Sequence, residues 1–506
     1  MGEHRLRATS RFGGRRWAWV AAAVLLLTAA AGTAAALVNP SLLHRLGLAG
    51  AVAVIPEVTP PVLRIGPLAA DAPTPGSTGL AAELDKLAGV KELGTLTGVV
   101  LDPTTDRTLW SRNPTKALTP GSTGKLLTAA ATLLTLNPTS RLTTRVVAGP
   151  TPDAVVLVGG GDPTLSVLPA GQESVYPGAA KLNTLLDAVR AAHPAPIRTV
   201  TVDLTRYRGP VLAPGWLPAD VPGGYVTPIQ PLILDGGRAT PSELDGPRTT
   251  TPGLDAGKEV AKRLGADPGL VREQTAPAGA ATLGEVSSPP ITDLVQTALR
   301  ISDNVLAEVL AREVAIAKGG EPSFPGATRA VLATLIGAGL EVGETKIVDG
   351  SGLSTADQVP AQLLGQIMAA AAAPAQSGTG ASSAAGSPPP GSSPPGSSAP
   401  AVTGSSGAPD RTDRAARLRP LLGGLPVAGG DGTLDARFRT GPSAPGRGYV
   451  RAKTGTLTGV SSLAGAVIDA DGRLLVFTWL SNGTSPADSR PRLDALAAAL
   501  RTCGCR

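Results

Sequence analysis

Ser122-Thr123-Gly124-Lys125 sets a hydroxyl and an amine three residues apart where a helix begins, and this pairing constrains how the remaining chain can fold. Pro120 and Gly121 break the preceding chain, and the run from Lys125 to Leu134 consists of strong helix formers. Positions i and i+3 share a helix face, so Lys125 comes up beside the Ser122 hydroxyl, close enough to take its proton. A lysine acts as a base near neutral pH only if its proton affinity is lowered by burial, by the positive helix end or by a second cation. Two further polar motifs, Ser302-Asp303-Asn304 and Lys453-Thr454-Gly455, follow in order, and Lys453 is the candidate for that cation. To bring all three motifs together, the chain must return twice to one helix end.

The sequence contains its own control. Gly76-Ser77-Thr78-Gly79 repeats the first motif, but Leu80 occupies the lysine position and the surroundings are Pro-rich, so that copy holds no chemistry. Of three histidines, His4 and His44 precede any folded region, and His193 lies in the loop-like Ala191-Ala192-His193-Pro194, where it reads as a solvated turn residue. A Ser-His-Asp triad therefore has no histidine to use, and the base of a serine hydrolase here is lysine. No His or Cys cluster could hold a metal or an organic cofactor, and none is expected. Cys503-Gly504-Cys505 reads as a frayed tail, leaving the folded part free of disulfides.

The formal charge of +6 is concentrated at the start, where five arginines against Glu3 lie in the first sixteen residues. The remainder is close to neutral, which argues against a nucleic-acid-binding face. Residues 17–38 form an uncharged apolar run of 22, long enough as a helix to span a bilayer core of about 30 Å. With the arginines before it, the run predicts a signal-anchor: 1–16 cytoplasmic, the catalytic part extracytoplasmic at the cell wall, with release by cleavage after Ala34-Ala35-Ala36 as the alternative.

Residues 39–80 read as a Pro-rich spacer, with a helix from about Ala81. Leu96 to Leu101, a turn at Asp102 to Asp106, and Thr108 to Trp110 predict one hairpin; Leu463 to Ile468, Asp471-Gly472, and Leu474 to Leu480 predict another, followed by a helix from about Pro491 to Arg501. One sheet then gathers strands from both chain ends, and with 3% aromatic residues its core relies on Leu, Val and Ala. Residues 81–141 and 287–506 form this domain, and 142–286 read as an inserted β-rich domain. The Ala/Gly/Ser/Pro segment 372–410 cannot bury enough apolar surface to order itself and reads as a disordered loop.

With these motifs placed, the chain from about 82 to 500 resembles the D-alanyl-D-alanine carboxypeptidases and endopeptidases of the larger, class C penicillin-binding-protein type, the DacB family. The likeness extends to Gly159-Gly160-Gly161-Asp162-Pro163, Asp349-Gly350-Ser351-Gly352-Leu353, Leu425 to Leu434, and Ala452-Lys453-Thr454-Gly455-Thr456-Leu457. It implies an α+β fold: a transpeptidase-like domain, an antiparallel sheet flanked by helices, with domains inserted between the first two motifs. The 180 residues between Ser122 and Ser302 are short for two nested inserts, so one is expected to be reduced or missing.

The resemblance also implies the chemistry. Ser122 attacks the penultimate D-Ala carbonyl of a peptidoglycan stem peptide, releases D-Ala, and leaves an acyl-enzyme that water hydrolyses; β-lactam antibiotics acylate the same serine. Lys125 is the base, Ser302 relays a proton to the leaving amine, and Asn304 holds the substrate amide. Lys453 and the hydroxyls of Thr454 and Thr456, with Gly455 between them, bind the terminal carboxylate, and the Ser122 and Thr456 N–H groups form the oxyanion hole. Trp216, Asp220 and Tyr225 line a pocket for the diamino-acid side chain.

Two other readings share part of this pattern. A class A β-lactamase shares the three motifs, but lacks so long an insert and needs a glutamate to activate the deacylating water. A catalytically idle wall-binding scaffold conflicts with motifs in which every reactive position is filled.

Overall fold

The computed structural model describes residues 71–374 and 411–505. The expected cytoplasmic segment, the apolar run 17–38, most of the spacer and nearly all of the 372–410 loop lie outside them. The expectation of a single-pass membrane protein is corrected: among the described residues no helix is long and apolar enough to cross a membrane.

The described chain opens with α1 (Ser77–Ala88), four residues ahead of the expected start, so the inert copy of the first motif is simply its first turn. β1 (Thr95–Asp102) and β2 (Arg107–Arg112) form the first hairpin. After the short β3 (Ala117–Leu118), the 3₁₀ turn Gly121–Gly124 runs directly into α2 (Lys125–Thr135). Nearly every side chain of α2 is buried, as befits a helix that is apolar on all sides.

The insertion then follows: β4 (Thr143–Ala148), β5 (Ala154–Val158), α3 (Leu182–Ala192), β6 (Thr199–Asp203), α4 (Pro252–Leu264), β7 (Arg272–Glu273) and β8 (Thr282–Ser287). Its sheet runs β7-β6-β5-β4-β8. β5, β6 and β7 are parallel, with α3 and α4 as the crossovers, and β4 is antiparallel to both its neighbours. Leu182, Leu185, Leu186 and Val189 of α3 share a core with Val155, Leu157, Val200 and Val260. Between β6 and α4, residues 204–251 form no strand or long helix. In the glycine run, a Cβ on Gly159 would meet Pro231, one on Gly160 would strike the Thr143 carbonyl, and Gly161 has φ +89°.

The chain returns through α5 (Ile291–Arg300), α6 (Asn304–Ala317) and α7 (Phe324–Gly337), then β9 (Val359–Pro360), which pairs with β3, and α8 (Ala361–Ala372). Beyond residue 411 come α9 (Arg411–Leu418), β10 (Arg451–Leu457), β11 (Val460–Ile468), β12 (Leu474–Asn482) and α10 (Pro486–Thr502). The main sheet is antiparallel, β10-β11-β12-β1-β2, with β1 laid against β12 from Thr95↔Asn482 to Leu101↔Val476. The two hairpins are tied by the buried ion pair of Arg473 with Asp102, 2.7 Å.

Alternation along the strands feeds two cores. Val99, Leu101, Val476 and Leu480 join Leu363, Leu364 and Ile367 of α8, while Leu96, Val100, Phe477 and Trp479 join Leu80, Leu84, Leu493, Leu496 and Leu500 of α1 and α10. Three aromatics cluster in the second core: Trp479 stacks with Phe477 and meets Trp110 edge-on, centroids 5.7 and 5.3 Å apart. The C-terminal tail is packed, not frayed. Cys503 and Cys505 are disulfide-bonded, Cys503 is buried in this core, and Gly76 donates its N–H to the Cys505 carbonyl at 2.6 Å.

Candidate active site

Burial is the first fact about the site. Lys125 and Lys453 are among the largest fully buried side chains, with 1% and 0% exposure, whereas Ser122 and Ser302 remain half-buried. The Ser122 turn sits against β10 so closely that no side chain fits between them. A Cβ on Gly455 would lie 2.5 Å from the Pro120 carbonyl and 3.0 Å from the Ser122 nitrogen, and one on Gly121 would lie 3.0 Å from the Thr456 nitrogen. Ser462 of β11 locks the turn from behind, its Oγ donating to the Pro120 carbonyl at 2.6 Å. The Ser122 and Thr456 backbones are thereby neighbours across the cleft.

Lys125 Nζ donates to Ser122 Oγ at 2.9 Å, to Asn304 Oδ1 at 2.5 Å and to the Ser351 carbonyl at 2.9 Å. Burial pushes its pKa down to about 8 against the opposing pull of Asp349, Asp303 and Glu308. Lys453 Nζ donates to Ser302 Oγ at 2.9 Å and to the Thr454 carbonyl at 2.7 Å. Burial, then the charges of Lys125 and Arg437, drive Lys453 well below its ordinary value. Of the three causes the sequence offers for a weakened Lys125, namely burial, the helix end and a second cation, burial is the one that lowers it, and the repulsion between the two lysines falls on Lys453. Thr454 Oγ1 donates to Thr433 Oγ1 at 2.8 Å.

The floor beneath Lys125 is the loop 349–354. Asp349 accepts from the N–H groups of Ser351, Gly352 and Ser354, and from Trp216 Nε1 at 2.8 Å. Glu308 of α6 accepts from Gly350 N–H with both oxygens at 3.0 Å, and its pKa is raised by burial to about 7. Burial and the neighbouring Asp349 charge push Asp357 up to about 10, so it is a neutral acid. These acids are invisible to motif reading, although Asp349 lies in a stretch the resemblance singles out.

The second motif is held from the insertion. Ser302 adopts φ +59°, Asp303 caps α6 by accepting from Leu306 N–H at 2.9 Å, and Asn304 is the first residue of that helix. Asn304 Nδ2 donates to the Tyr225 carbonyl at 2.8 Å. Of the residues expected to line a side-chain pocket, Trp216 meets Phe324 edge-on and spends its N–H on Asp349. Asp220 accepts from Leu217 N–H at 2.6 Å, and Tyr225 is 60% exposed beside Asn304. His193 lies at the C-terminal end of α3, outside the site, where its Nε2 is buried without a hydrogen-bond partner among the described residues. Among the described residues no group of His, Cys, Asp or Glu could hold a metal ion.

A profile of the D-Ala-D-Ala carboxypeptidase 3 (S13) family matches residues 80–245, 246–382 and 410–503. The chain belongs to that family. As an S13 carboxypeptidase it is a serine-type hydrolase, and its relatives span nearly its whole length. It is 41% identical over 462 residues to Carboxypeptidase Rv3627c of Mycobacterium tuberculosis, covering 90% of this chain and 91% of the relative. It is 40% identical over 492 residues to Carboxypeptidase DacB of Mycolicibacterium smegmatis, covering 96% and 97%. Among solved structures, penicillin binding protein 4 (dacB) of Haemophilus influenzae superposes with a TM-score of 0.61 at 18% identity, over 83% of this chain and 97% of that one; this likeness concerns the fold.

Proposed function

We propose that this S13 carboxypeptidase removes the terminal D-Ala of peptidoglycan stem peptides through an acyl-enzyme on Ser122. The observation that carries the assignment is the 2.9 Å contact between Ser122 Oγ and the buried Lys125 Nζ, whose pKa of about 8 leaves a usable fraction of free amine at neutral pH. Lys125 takes the hydroxyl proton as Oγ bonds to the penultimate carbonyl carbon, and the Ser122 and Thr456 N–H groups receive the oxyanion. Collapse breaks the C–N bond, and Ser302, bonded to Lys453, delivers a proton to the departing amine. Water then cleaves the Ser122 ester.

Lys453, Thr454 and Thr456 receive the substrate carboxylate, which restores the positive charge that burial disfavours on Lys453. Asn304 meets the substrate amide with the donor and acceptor capacity left beyond Lys125 and Tyr225. Trp216, Asp220 and Tyr225, together on the turn 216–225, form the wall for the diamino-acid side chain. β-Lactams enter by the same attack, on the lactam carbonyl.

The test is the intact mass of the protein after exposure to a penicillin, alongside Ser122→Ala. The expected result is one stable penicilloyl adduct on the wild type alone. An adduct on Ser122→Ala would sink the assignment of the nucleophile. No adduct with the penicillin hydrolysed would mark a β-lactamase, and no adduct with the penicillin intact a catalytically idle protein.

A further inference from the structure

Asp303 is the middle residue of the second motif, yet it points away from the cleft. Its carboxylate is completely buried and accepts from Arg238 Nη2 at 2.8 Å and from the Tyr176 hydroxyl at 2.9 Å, with Arg248 Nη2 at 3.6 Å. Arg238 Nη1 also donates to the Tyr176 hydroxyl at 2.6 Å, closing a ring of three side chains around one carboxylate oxygen. Both arginines are almost wholly buried, at 8% exposure each, and all three partners come from the irregular parts of the insertion.

The same stretch grips α6 twice more. The Tyr225 carbonyl holds the Asn304 amide at 2.8 Å, and Arg206 and Tyr207 engage Glu313, about two and a half turns further along the helix. Immediately before these anchors sits Ser302, in the left-handed region that a serine does not adopt unaided. A residue in that conformation persists where its neighbours over-determine it, and here the neighbour that does so is Asp303. Burial alone would raise the Asp303 carboxyl, but the two guanidinium groups hold it well below the usual carboxylate range, so its charge is kept throughout the working pH range.

We infer that the insertion is a working part of the active site, in which Arg238, Arg248 and Tyr176 are positioning residues that act through Asp303 to hold Ser302 at Lys453 and Asn304 at Lys125. None of the three touches the reacting atoms. Their contribution is to the geometry of the acylation step, so loosening them lowers the rate of acylation within the bound complex and leaves binding of the β-lactam intact. The inference rests on Ser122 being the acylated nucleophile.

The experiment follows acylation of the full chain by a fluorescent penicillin in stopped flow, separating the bound-state rate from the dissociation constant, in wild type, Arg238→Met and Tyr176→Phe. The melting temperature of each is measured in parallel. Arg238→Met, folded at the assay temperature, is expected to acylate about 10- to 100-fold more slowly from the bound complex, with a dissociation constant within about threefold of wild type. A bound-state rate within about twofold of wild type, or a loss confined to binding, would overturn the inference. Should Arg238→Met not fold, Tyr176→Phe decides, since it removes one hydroxyl at constant shape: at least a threefold slower bound-state rate is expected, and an unchanged one overturns the inference. A wild type that is not acylated would instead sink the Ser122 reading before any variant is compared.

Discussion

Between pH 7 and pH 9 the rate at which a penicillin acylates Ser122 is expected to rise about tenfold, and the midpoint of the rise is set by how deeply Lys125 is buried. At its ordinary value of 10.5, roughly one lysine amine in three thousand is free at pH 7; at about 8, roughly one in ten is. Burial thus enlarges the population of active base about 300-fold. The same shift costs about 3 kcal/mol of folding stability below pH 8, because the unfolded chain holds that proton more tightly. The sign is definite. Between about 8 and 10.5 the unfolded state binds more protons than the folded one, so stability rises with pH across this window and the gain is lost again below it. The assay is acylation by a fluorescent penicillin at fixed ionic strength from pH 6 to 10, paired with denaturant unfolding at each pH. Lys125 and Lys453 lie in one site, so the observed midpoint belongs to the pair. A rate that is flat from pH 7 to 9, or one that climbs only above pH 10, would refute the argument that burial makes Lys125 the base.

Two further outcomes follow from the packing. Gly455→Ala would force a methyl group into the Pro120 carbonyl and the Ser462 hydroxyl, so β10 must retreat from the Ser122 turn; acylation is expected to fall at least tenfold, and an alanine variant with the wild-type acylation rate and melting temperature would show that the two backbones are not so tightly apposed. Asp357→Asn is expected to leave stability within about 1 kcal/mol of wild type by chemical denaturation, because the buried carboxyl is already neutral and an amide can both accept from Val348 N–H and donate towards Asp349; a loss above about 3 kcal/mol would mean that a buried charge had been removed.

What the sequence makes legible here is local. The strands β1 and β2, and β11 and β12, announce themselves by β-branched and apolar runs bounded by Asp-rich turns, and Ser122 and Lys125 are linked by nothing more than helix periodicity. The helix α3 was equally readable from Leu182, Leu185, Leu186 and Val189 at helical spacing, yet a β-rich reading of the insertion passes over it. The buried cluster around Lys125 is of another kind. Asp349, Glu308 and Asp357 are spread over about fifty positions, and a lone Arg238 or Arg248 in an irregular stretch looks like any solvated arginine. Their partners become known only when α6 is laid beside the insertion, a tertiary event that no window of sequence contains. Asp303 shows the difference within one motif: its neighbours are recognised by their chemistry, while its own task depends on residues 55 to 127 positions upstream.

The pairing of β1 with β12 also sets a schedule. Thr95 to Leu101 emerges from the ribosome early, but its partner, Val476 to Asn482, is made some 380 residues later, and β10 with Lys453 is nearly as late. Until then the first hairpin has an open edge, and the Ser122 turn has neither Gly455 nor Ser462 to rest against. A nascent or truncated chain that lacks β10 to β12 therefore carries a serine without a catalytic cleft, and hydrolytic activity switches on only once those strands have been made. The same long-range closure makes folding slow and leaves an unpaired strand exposed while it waits. A protease that cut just ahead of Val460 would leave the three motifs of the sequence intact and abolish the enzyme, since β11, β12 and the buttress of Ser462 would go with the lost segment.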